Sequence, residues 1–292
     1  MGPKAFITGH PVKHSRSPLV HQYWLATYGV PGSYEAIDVA PEAFPAFFRD
    51  FRERGYLGGN FTIPHKEAAF RLVDEPSVDA RRMEAVNTVW VEDGRVRGDN
   101  TDVLGFMANL DQTLGADWSA TTGNALVLGA GGAARAVVAG LLDRLEDDVI
   151  VANRTLERAQ QLVPLAPSRV KPLEWSKVEA VLPRVDLVVN TTSLGMVGQP
   201  PLSIDLKLLP DRAVVSDIVY VPLETPILAS ARERGLRTVG GLGMLLHQAV
   251  PGFAHWFGVA PHVTPELHAL VEADVLERNR SRMDGADDLS RS

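Results

Sequence analysis

Short apolar runs bounded by glycine, proline or polar residues alternate along the chain with segments in which apolar residues follow a helical spacing. The short runs predict strands over residues 4–8, 34–39, 57–63, 84–91, 125–128, 149–152, 187–190, 214–218 and 238–239. The helical spacing predicts helices over residues 18–28, 41–54, 156–163 and 244–257, and one more after the run at 125–128. Strands that alternate with helices are typical of α/β proteins with parallel sheets, so we predict that class.

One of the predicted helices carries an aromatic stripe. Phe44, Phe47, Phe48 and Phe51 recur at the i, i+3, i+4 and i+7 positions of a single helix face. Such a stripe is far more typical of a buried core than of a binding surface, so we expect it to pack inward.

The strand at 125–128 runs directly into a glycine-rich loop, which a helix of small apolar residues follows. The loop consists of Gly129, Ala130, Gly131, Gly132 and Ala133. Strand, tight glycine turn and helix follow one another in sites for a dinucleotide pyrophosphate, where free helix N–H groups and the helix dipole meet the anion. Gly129 permits the turn and Gly131 lets the backbone approach the phosphates, so we expect a dinucleotide here.

The residues after the next strand indicate which dinucleotide binds. In an NAD site an Asp or Glu stands there and bonds the ribose 2′-hydroxyl. This chain has Asn153, Arg154 and Thr155, with Arg158 one helical turn further on. Because guanidinium groups form forked, charge-assisted bonds to phosphate, the segment favours the 2′-phosphate of NADP. The alternative is an ordinary strand–helix turn with a solvated arginine face.

Composition and charge exclude several other classes of function. The 292 residues are 45% hydrophobic, which is typical of a globular chain of two domains. A formal net charge of −7 argues against nucleic-acid binding, and the lack of cysteine excludes disulfides and thiol catalysis. No apolar run approaches the roughly 18 residues of a membrane helix, and the first residues lack the apolar region of a signal peptide. We expect a cytoplasmic protein with no membrane, nucleic-acid or metal partner.

A polar, glycine-bearing segment at 114–123 separates an α/β region without a dinucleotide loop from the region that holds one. We therefore predict a first α/β domain over 1–102, a connecting helix and linker over 103–122 and a Rossmann-type dinucleotide domain over 123–239. C-terminal helices over 240–277 follow, and the charged segment 278–292 has little to bury and is predicted to be disordered.

A few polar residues in the first domain stand at helix starts. Lys66 falls in the first turn of a predicted helix, where the helix dipole disfavours a cation, and Asp102 caps or just precedes the helix that follows it. A misplaced cation is a hint of function, although a solvated lysine and a capping aspartate are the ordinary explanations. Ser15 and Ser17 suit a polyhydroxylated or carboxylated ligand, but helix capping by Ser17 alone is the commoner reading.

Eight motifs resemble the shikimate dehydrogenase family in both content and order. They are HSRSP at 14–18, NFTIPHK at 60–66, AVNT at 85–88, NTD at 100–102, GAGGA at 129–133, NRT at 153–155, NTTSLGM at 190–196, and GML at 243–245 with Gln248 and Trp256. The resemblance extends over roughly residues 4–258, most of the chain. Each motif alone is weak evidence, whereas eight in order are specific.

The resemblance implies reversible, NADPH-dependent reduction of 3-dehydroshikimate to shikimate, in the pathway to aromatic amino acids. It implies a substrate domain at the N-terminus, a doubly wound NADP domain, and a C-terminal helix that returns to the first domain. It also implies that Lys66 and Asp102 form the catalytic pair. A charged amine suits this chemistry, because it stabilises the alkoxide that develops when a carbonyl accepts hydride and can hand it a proton.

The resemblance implies binding residues as well. The expected substrate contacts are Ser15, Ser17, Thr62, Asn87, Tyr220 and Gln248. The expected cofactor contacts are Gly129, Ala130, Gly131, Gly132, Ala133, Asn153, Arg154, Thr155, Arg158, Ile218 and Gly241. A homodimer is compatible with the sequence, which does not determine the oligomeric state.

Two residues beside the expected pair depart from the family pattern. Phe61 stands where the family often has Val, and Val103 where Gly is common, so we expect either a narrower pocket or a shifted substrate preference. A quinate or aminoshikimate dehydrogenase therefore stays open as an alternative. A sensor of cofactor or shikimate without turnover is a second, and the presence of both Lys66 and Asp102 argues against it. The two serines, and Arg154 without an acidic neighbour, favour shikimate and NADP.

Overall fold

The computed structural model describes residues 2–290, and it describes side chains as far as Arg280. Contacts divide the chain into two compact units. The first contains the chain up to Gly105 together with Leu246–Leu267, and the second contains Phe106–Leu245 and the residues from His268 onward. None of the described helices is both long enough and apolar enough to cross a membrane.

The first unit holds a mixed six-stranded sheet and the helices around it. Its elements are β1 Lys4–Gly9, α1 Ser17–Thr27, β2 Ser33–Asp38, α2 Phe44–Asp50, β3 Tyr56–Phe61, α3 Lys66–Leu72, β4 Glu75–Pro76, α4 Val78–Met83, β5 Thr88–Glu92, β6 Arg95–Asp99 and the start of α5 Asp102–Leu114. The strand order is β2-β1-β3-β5-β6-β4. β1 pairs in parallel with β2 and β3, whereas β5 runs antiparallel to both β3 and β6.

The aromatic stripe lies in the core of this unit, as predicted. All four phenylalanines are buried, and the ring of Phe47 lies 5.0 Å from that of Phe6 on β1. Phe61 joins the same cluster, because its ring lies 5.2 Å from that of Phe44 and the side chain is fully buried. Since Phe61 packs into the core, the expectation that it narrows a pocket beside Lys66 is wrong.

The second unit holds a parallel six-stranded sheet with helices between the strands. Its elements are β7 Ala125–Leu128, α6 Gly132–Arg144, β8 Val149–Asn153, α7 Leu156–Gln160, β9 Val170–Glu174, α8 Val178–Val181, β10 Leu187–Asn190, β11 Val214–Asp217, α9 Pro226–Glu233, β12 Arg237–Val239, the start of α10 Leu242–Phe257, and most of α11 Pro265–Ser290. The order β12-β11-β10-β7-β8-β9 is that of a doubly wound dinucleotide-binding sheet. This confirms the predicted fold class.

The central strands of the second sheet are continuous apolar runs because both of their faces are covered. Along β7, Ala125 and Val127 pack in one hydrophobic cluster, while Leu126 and Leu128 pack in another. A strand buried on both sides needs apolar residues at every position. This sheet places the ends of β7 and β10, where the strand order reverses, side by side.

The second half of α10 belongs to the first unit. Trp256 donates its indole N–H to the carbonyl oxygen of Val89 over 2.8 Å, and the ring of Phe253 lies 5.4 Å from that of Trp24. The predicted return of a C-terminal helix to the first domain is therefore seen in these contacts. The structure describes residues 278–290 as the last part of α11, which does not agree with the disorder predicted for residues 278–292.

Candidate active site

Two helices of the first unit begin with a charged residue, and these two residues form an ion pair. Lys66 is the first residue of α3 and Asp102 the first residue of α5. The Lys66 Nζ donates to Asp102 Oδ2 over 2.6 Å. The Asp102 side chain is only 9% exposed, whereas that of Lys66 is 28% exposed. The ammonium is therefore held by a buried carboxylate while part of it still reaches the surface.

Hydrogen bonds and ring contacts around Lys66 hold the start of α3 in place. The amide of Thr62 donates to Thr8 on β1 over 2.9 Å, and that of His65 donates to the Thr62 carbonyl over 2.8 Å. The buried imidazole of His65 stacks on Phe44 at 4.3 Å and bonds the carbonyl of Val39 over 2.7 Å. These contacts fix the start of α3, where the helix dipole opposes a cation and only a nearby carboxylate offsets the cost.

The second oxygen of Asp102 is also occupied. Asn87 donates from Nδ2 to Asp102 Oδ1 over 2.8 Å. The Asn87 Oδ1 accepts from the Thr101 amide at 2.9 Å, from the Thr101 hydroxyl at 3.1 Å and from the Thr88 hydroxyl at 2.9 Å. All four residues are buried. The pair predicted from the sequence is thus part of a larger polar network.

The network continues across the sheet from Asn87. Asn60 Nδ2 donates to the Asn87 carbonyl over 3.1 Å and to Thr88 Oγ1 over 3.0 Å, while the Tyr34 hydroxyl donates to Asn60 Oδ1 over 2.6 Å. Burial raises the pKa of Tyr34 well above its usual value, and a hydrogen bond from the Ser17 side chain opposes that rise. One chain of hydrogen bonds therefore connects Ser17 with Asp102.

Sequence reasoning missed four of these residues, namely Tyr34, Asn60, Thr88 and Thr101. One signal was available for Thr88, which with Asn87 interrupts an otherwise apolar run. A buried hydroxyl in such a run needs a hydrogen-bond partner, and the partners come from β3 and from the turn before α5. That pairing depends on the sheet register, which the sequence pattern does not contain.

The remaining expected substrate residues divide between the units. Ser15, Ser17, Thr62 and Gln248 belong to the first unit, and Tyr220 belongs to the second. Ser17 is the first residue of α1, one position after the N-cap residue Arg16, so the capping interpretation of Ser17 is wrong. Instead, the Ser17 amide donates to the Ser15 hydroxyl over 3.2 Å.

The glycine-rich loop has the geometry that a pyrophosphate needs. Gly129 has a φ of +107°, and a Cβ there would lie 2.7 Å from the Thr191 hydroxyl, so no larger residue fits. Gly131 and Gly132 face open space, and no side chain caps α6. The first N–H groups of this helix are therefore available to an anion, and the loop fits the expected cofactor.

The segment after β8 is also available to an anion. Arg154, Thr155 and Arg158 are exposed, and in the described part of the chain neither guanidinium forms an ion pair with a carboxylate. Asn153 donates from its amide to the Thr155 carbonyl over 2.8 Å and so shapes the turn. Two unpaired cations beside a hydroxyl suit a phosphate group.

A second buried network shapes the loops after β10 and β11. Asn190 Nδ2 donates to Asp217 Oδ1 over 3.0 Å, and Asp217 also accepts from the Val219 amide at 2.9 Å and from the Thr225 hydroxyl at 2.7 Å. Burial raises the pKa of Asp217 to about 6. The network holds the start of the segment that carries Ile218 and Tyr220.

The structure brings two of the expected cofactor residues, Ile218 and Gly241, together. A Cβ at Gly241 would meet the Ile218 carbonyl oxygen, so these two residues lie against each other. Across the described residues, no group of three or more His, Asp and Glu side chains is placed to hold a metal ion. The arrangement offers an ammonium paired with a carboxylate in one unit and an anion-binding loop in the other.

Comparisons with known proteins agree with this geometry. Residues 7–89 match the family described as "Shikimate dehydrogenase substrate binding domain", and residues 112–196 match "Shikimate / quinate 5-dehydrogenase". A "Shikimate dehydrogenase (NADP(+))" of Methylobacterium radiotolerans is 60% identical over 275 residues, covering 94% of this chain and 98% of the relative. One of Azorhizobium caulinodans is 57% identical over 274 residues, covering 94% and 97%.

Solved structures with the same fold include two enzymes that are named for different substrates. The enzyme of Thermus thermophilus, described as shikimate 5-dehydrogenase in complex with NADP(H) and shikimate, is 38% identical, with a TM-score of 0.81 over 93% of this chain and 99% of that one. The quinate dehydrogenase of Corynebacterium glutamicum in complex with NAD is 29% identical, with a TM-score of 0.85 over the same shares.

Proposed function

Because the chain belongs to the shikimate dehydrogenase family, we propose that it catalyses the reversible, NADPH-dependent reduction of 3-dehydroshikimate to shikimate in aromatic amino-acid biosynthesis. The observation that carries the proposal is the 2.6 Å pair between the Lys66 ammonium and the buried Asp102 carboxylate. A sensor without turnover has no need of such a pair. The identities of 55–60% with NADP-dependent shikimate dehydrogenases support the same conclusion.

In the proposed mechanism, NADPH supplies the hydride when it is bound. The ammonium of Lys66 has three N–H groups and gives one to Asp102, so two are left for the carbonyl oxygen of the substrate. As charge develops on that oxygen, the ammonium stabilises it and transfers a proton to it. Asp102 keeps the ammonium at this position and balances its charge.

The other residues are proposed to bind and orient the ligands. Ser15, Ser17, Thr62, Asn87, Tyr220 and Gln248 are assigned to the hydroxyl and carboxylate groups of the substrate. The loop Gly129, Ala130, Gly131, Gly132 and Ala133 is assigned to the pyrophosphate, and Ile218 and Gly241 to the rest of the cofactor. Asn153, Arg154, Thr155 and Arg158 are assigned to the 2′-phosphate, which supports a preference for NADP over NAD.

A quinate dehydrogenase is the second candidate, because the Corynebacterium enzyme of that name has a TM-score of 0.85 to this chain. Quinate carries a tertiary hydroxyl on a saturated ring carbon, where shikimate has a planar C=C. A pocket for quinate therefore needs more room and one more polar partner. Arg154 and Arg158, which are exposed and form no ion pair with a carboxylate in the described part of the chain, favour the NADP-dependent branch instead.

The proposal is tested by incubating the purified protein with 3-dehydroshikimate and NADPH and identifying the product by chromatography. We expect one shikimate for each NADPH consumed. NADPH consumption without shikimate, or no consumption at all, contradicts the proposal. The cytoplasmic location and the homodimer stay predictions, which cell fractionation and analytical ultracentrifugation test.

A further inference from the structure

Asn87 connects the Lys66–Asp102 pair to two threonines that have no assigned role. We propose that Thr88 and Thr101 are positioning residues, which orient the Asn87 amide so that its NH₂ group, and not its oxygen, faces Asp102. The inference rests on the proposed function, because it concerns how the catalytic pair is held. It assigns the threonines no contact with substrate or cofactor.

The orientation of the Asn87 amide follows from a group that can only donate. The backbone N–H of Thr101 lies 2.9 Å from one terminal atom of the Asn87 side chain, and that atom must therefore be the oxygen. The other terminal atom is then the nitrogen, which lies 2.8 Å from Asp102 Oδ1. A flipped amide would set an N–H against an N–H at one end and oxygen against oxygen at the other.

The Thr88 hydroxyl is a further donor within reach of the Asn87 oxygen. Asn60 Nδ2 lies 3.1 Å from the Asn87 carbonyl oxygen, which only accepts, so Asn60 also donates to Thr88 Oγ1 at 3.0 Å. The Thr88 proton then has two oxygen atoms within reach, Asn87 Oδ1 at 2.9 Å and Thr101 Oγ1 at 3.3 Å, and Asn87 Oδ1 is the nearer. The Thr101 hydroxyl reaches the same oxygen at 3.1 Å, so three donors converge on it.

Thr88 and Thr101 are buried, so the loss of either hydroxyl is not compensated by solvent. Thr88 is fully buried and Thr101 is 1% exposed. Removing one hydroxyl leaves the buried Asn87 oxygen with the Thr101 backbone N–H and one other hydroxyl, so the amide is held by fewer contacts and can turn more easily. Asp102 would then lose the Asn87 bond to Oδ1 and keep only Lys66 on Oδ2, so its carboxylate could rotate and carry the ammonium with it.

The test uses Thr88→Val and Thr101→Val, which remove one hydroxyl each and keep the branched shape. We expect kcat to fall about tenfold in each, the loss that one hydrogen bond of typical strength represents, with the KM for NADPH unchanged. Thr88→Ser and Thr101→Ser keep a hydroxyl and should return kcat to within about twofold of wild type. Thr8→Val is the matched control, since Thr8 is a buried strand residue whose hydroxyl has no partner in the described part of the chain.

A double-mutant cycle with Asn87→Ala separates positioning from general damage. If the threonines act through Asn87, then Thr101→Val costs no further activity once Asn87 is Ala, and the same holds for Thr88→Val. Equal losses with and without Asn87, or wild-type kcat in both valine variants, would overturn the proposal. Thermal unfolding shows whether each variant is folded at the assay temperature. If Thr101→Val does not fold, the double-mutant cycle is measured with Thr88→Val alone.

The wild-type enzyme keeps this test distinct from that of the proposed function. Without shikimate formation by the wild type, the proposed function fails before any variant is made. If the wild type is active and the valine variants match it, only the positioning role of Thr88 and Thr101 fails.

Discussion

His21 should make the stability of the protein depend on pH in a way that a single substitution removes. It lies in the middle of α1 and is fully buried. Its ring stacks on that of Tyr34 at 3.9 Å, and it lies 5.9 Å from the ring of Phe253. Neither ring nitrogen has a hydrogen-bond partner within the described residues. Burial lowers its pKa from 6.5 to about 3, because a charged imidazolium in this apolar contact has no compensating partner.

The size of the effect follows from the two pKa values. Between pH 6.5 and about 3 the unfolded chain carries a proton on His21 that the folded chain does not, so stability falls as the pH falls through this window. From pH 7.5 to 5.5 the imidazole of the unfolded chain becomes mostly protonated, which costs the folded state on the order of 1 kcal/mol.

The assay compares wild type with His21→Phe, which keeps an aromatic ring in the stack and cannot titrate. Urea unfolding is followed by fluorescence at both pH values, since Trp24 lies 5.7 Å from the His21 ring. Other titrating groups contribute equally to both proteins and cancel in the comparison. We expect the free energy of unfolding of the wild type to fall by on the order of 1 kcal/mol more than that of the variant between pH 7.5 and 5.5. Equal losses would refute the account of His21 as a neutral, buried imidazole.

Three further predictions concern the site. Lys66→Ala should lower kcat by several orders of magnitude with a modest change in the KM for 3-dehydroshikimate, and an unchanged kcat in steady-state assays removes Lys66 from the mechanism. Arg154→Ala should weaken the binding of NADPH far more than the binding of NADH, as measured by fluorescence titration. An equal loss of affinity for both cofactors argues against a 2′-phosphate contact. The pKa of Asp217 is raised to about 6 in the folded state, so between about pH 4 and 6 the folded chain keeps a proton on Asp217 that the unfolded chain has lost. The contribution of Asp217 to the stability of the fold therefore falls as the pH rises from about 4 to 6. Asp217→Asn should flatten that part of the stability profile in urea titrations, and an unchanged slope contradicts the assignment.

Much of the fold was accessible from the sequence because the signals are local. The apolar run at 125–128, the glycine turn and the helix after it predict β7 and α6 from neighbouring residues alone. The short strands β4, β6 and β9 were missed, since none has a distinct apolar run and each depends on pairing with a neighbour. The predicted strand at 84–91 starts later, at Thr88, because residues 85–87 bond instead to Ala80, Lys66 and Asp99.

The candidate site was predictable only in part, for a similar physical reason. Motifs in the sequence pointed to Lys66 and Asp102, and in the structure these two residues, 36 positions apart in the chain, form an ion pair. The threonine and asparagine contacts around them depend on register between β3, β5 and the turn before α5, which no local pattern encodes. Phe61 was misjudged because alternation along β3 decides which face a side chain takes, and its ring went to the core.

The most direct test of the account is the rate of cofactor reduction by the wild-type enzyme in four mixtures, shikimate or quinate with NADP or NAD. Absorbance of the reduced nicotinamide gives kcat/KM for each, with Lys66→Ala as the blank. We predict the highest kcat/KM for shikimate with NADP. It should exceed the kcat/KM for quinate with NADP and for shikimate with NAD by about tenfold or more, since one charge-assisted contact is worth that much. A kcat/KM for quinate with NAD that equals or exceeds it would contradict the assignment of both substrate and cofactor.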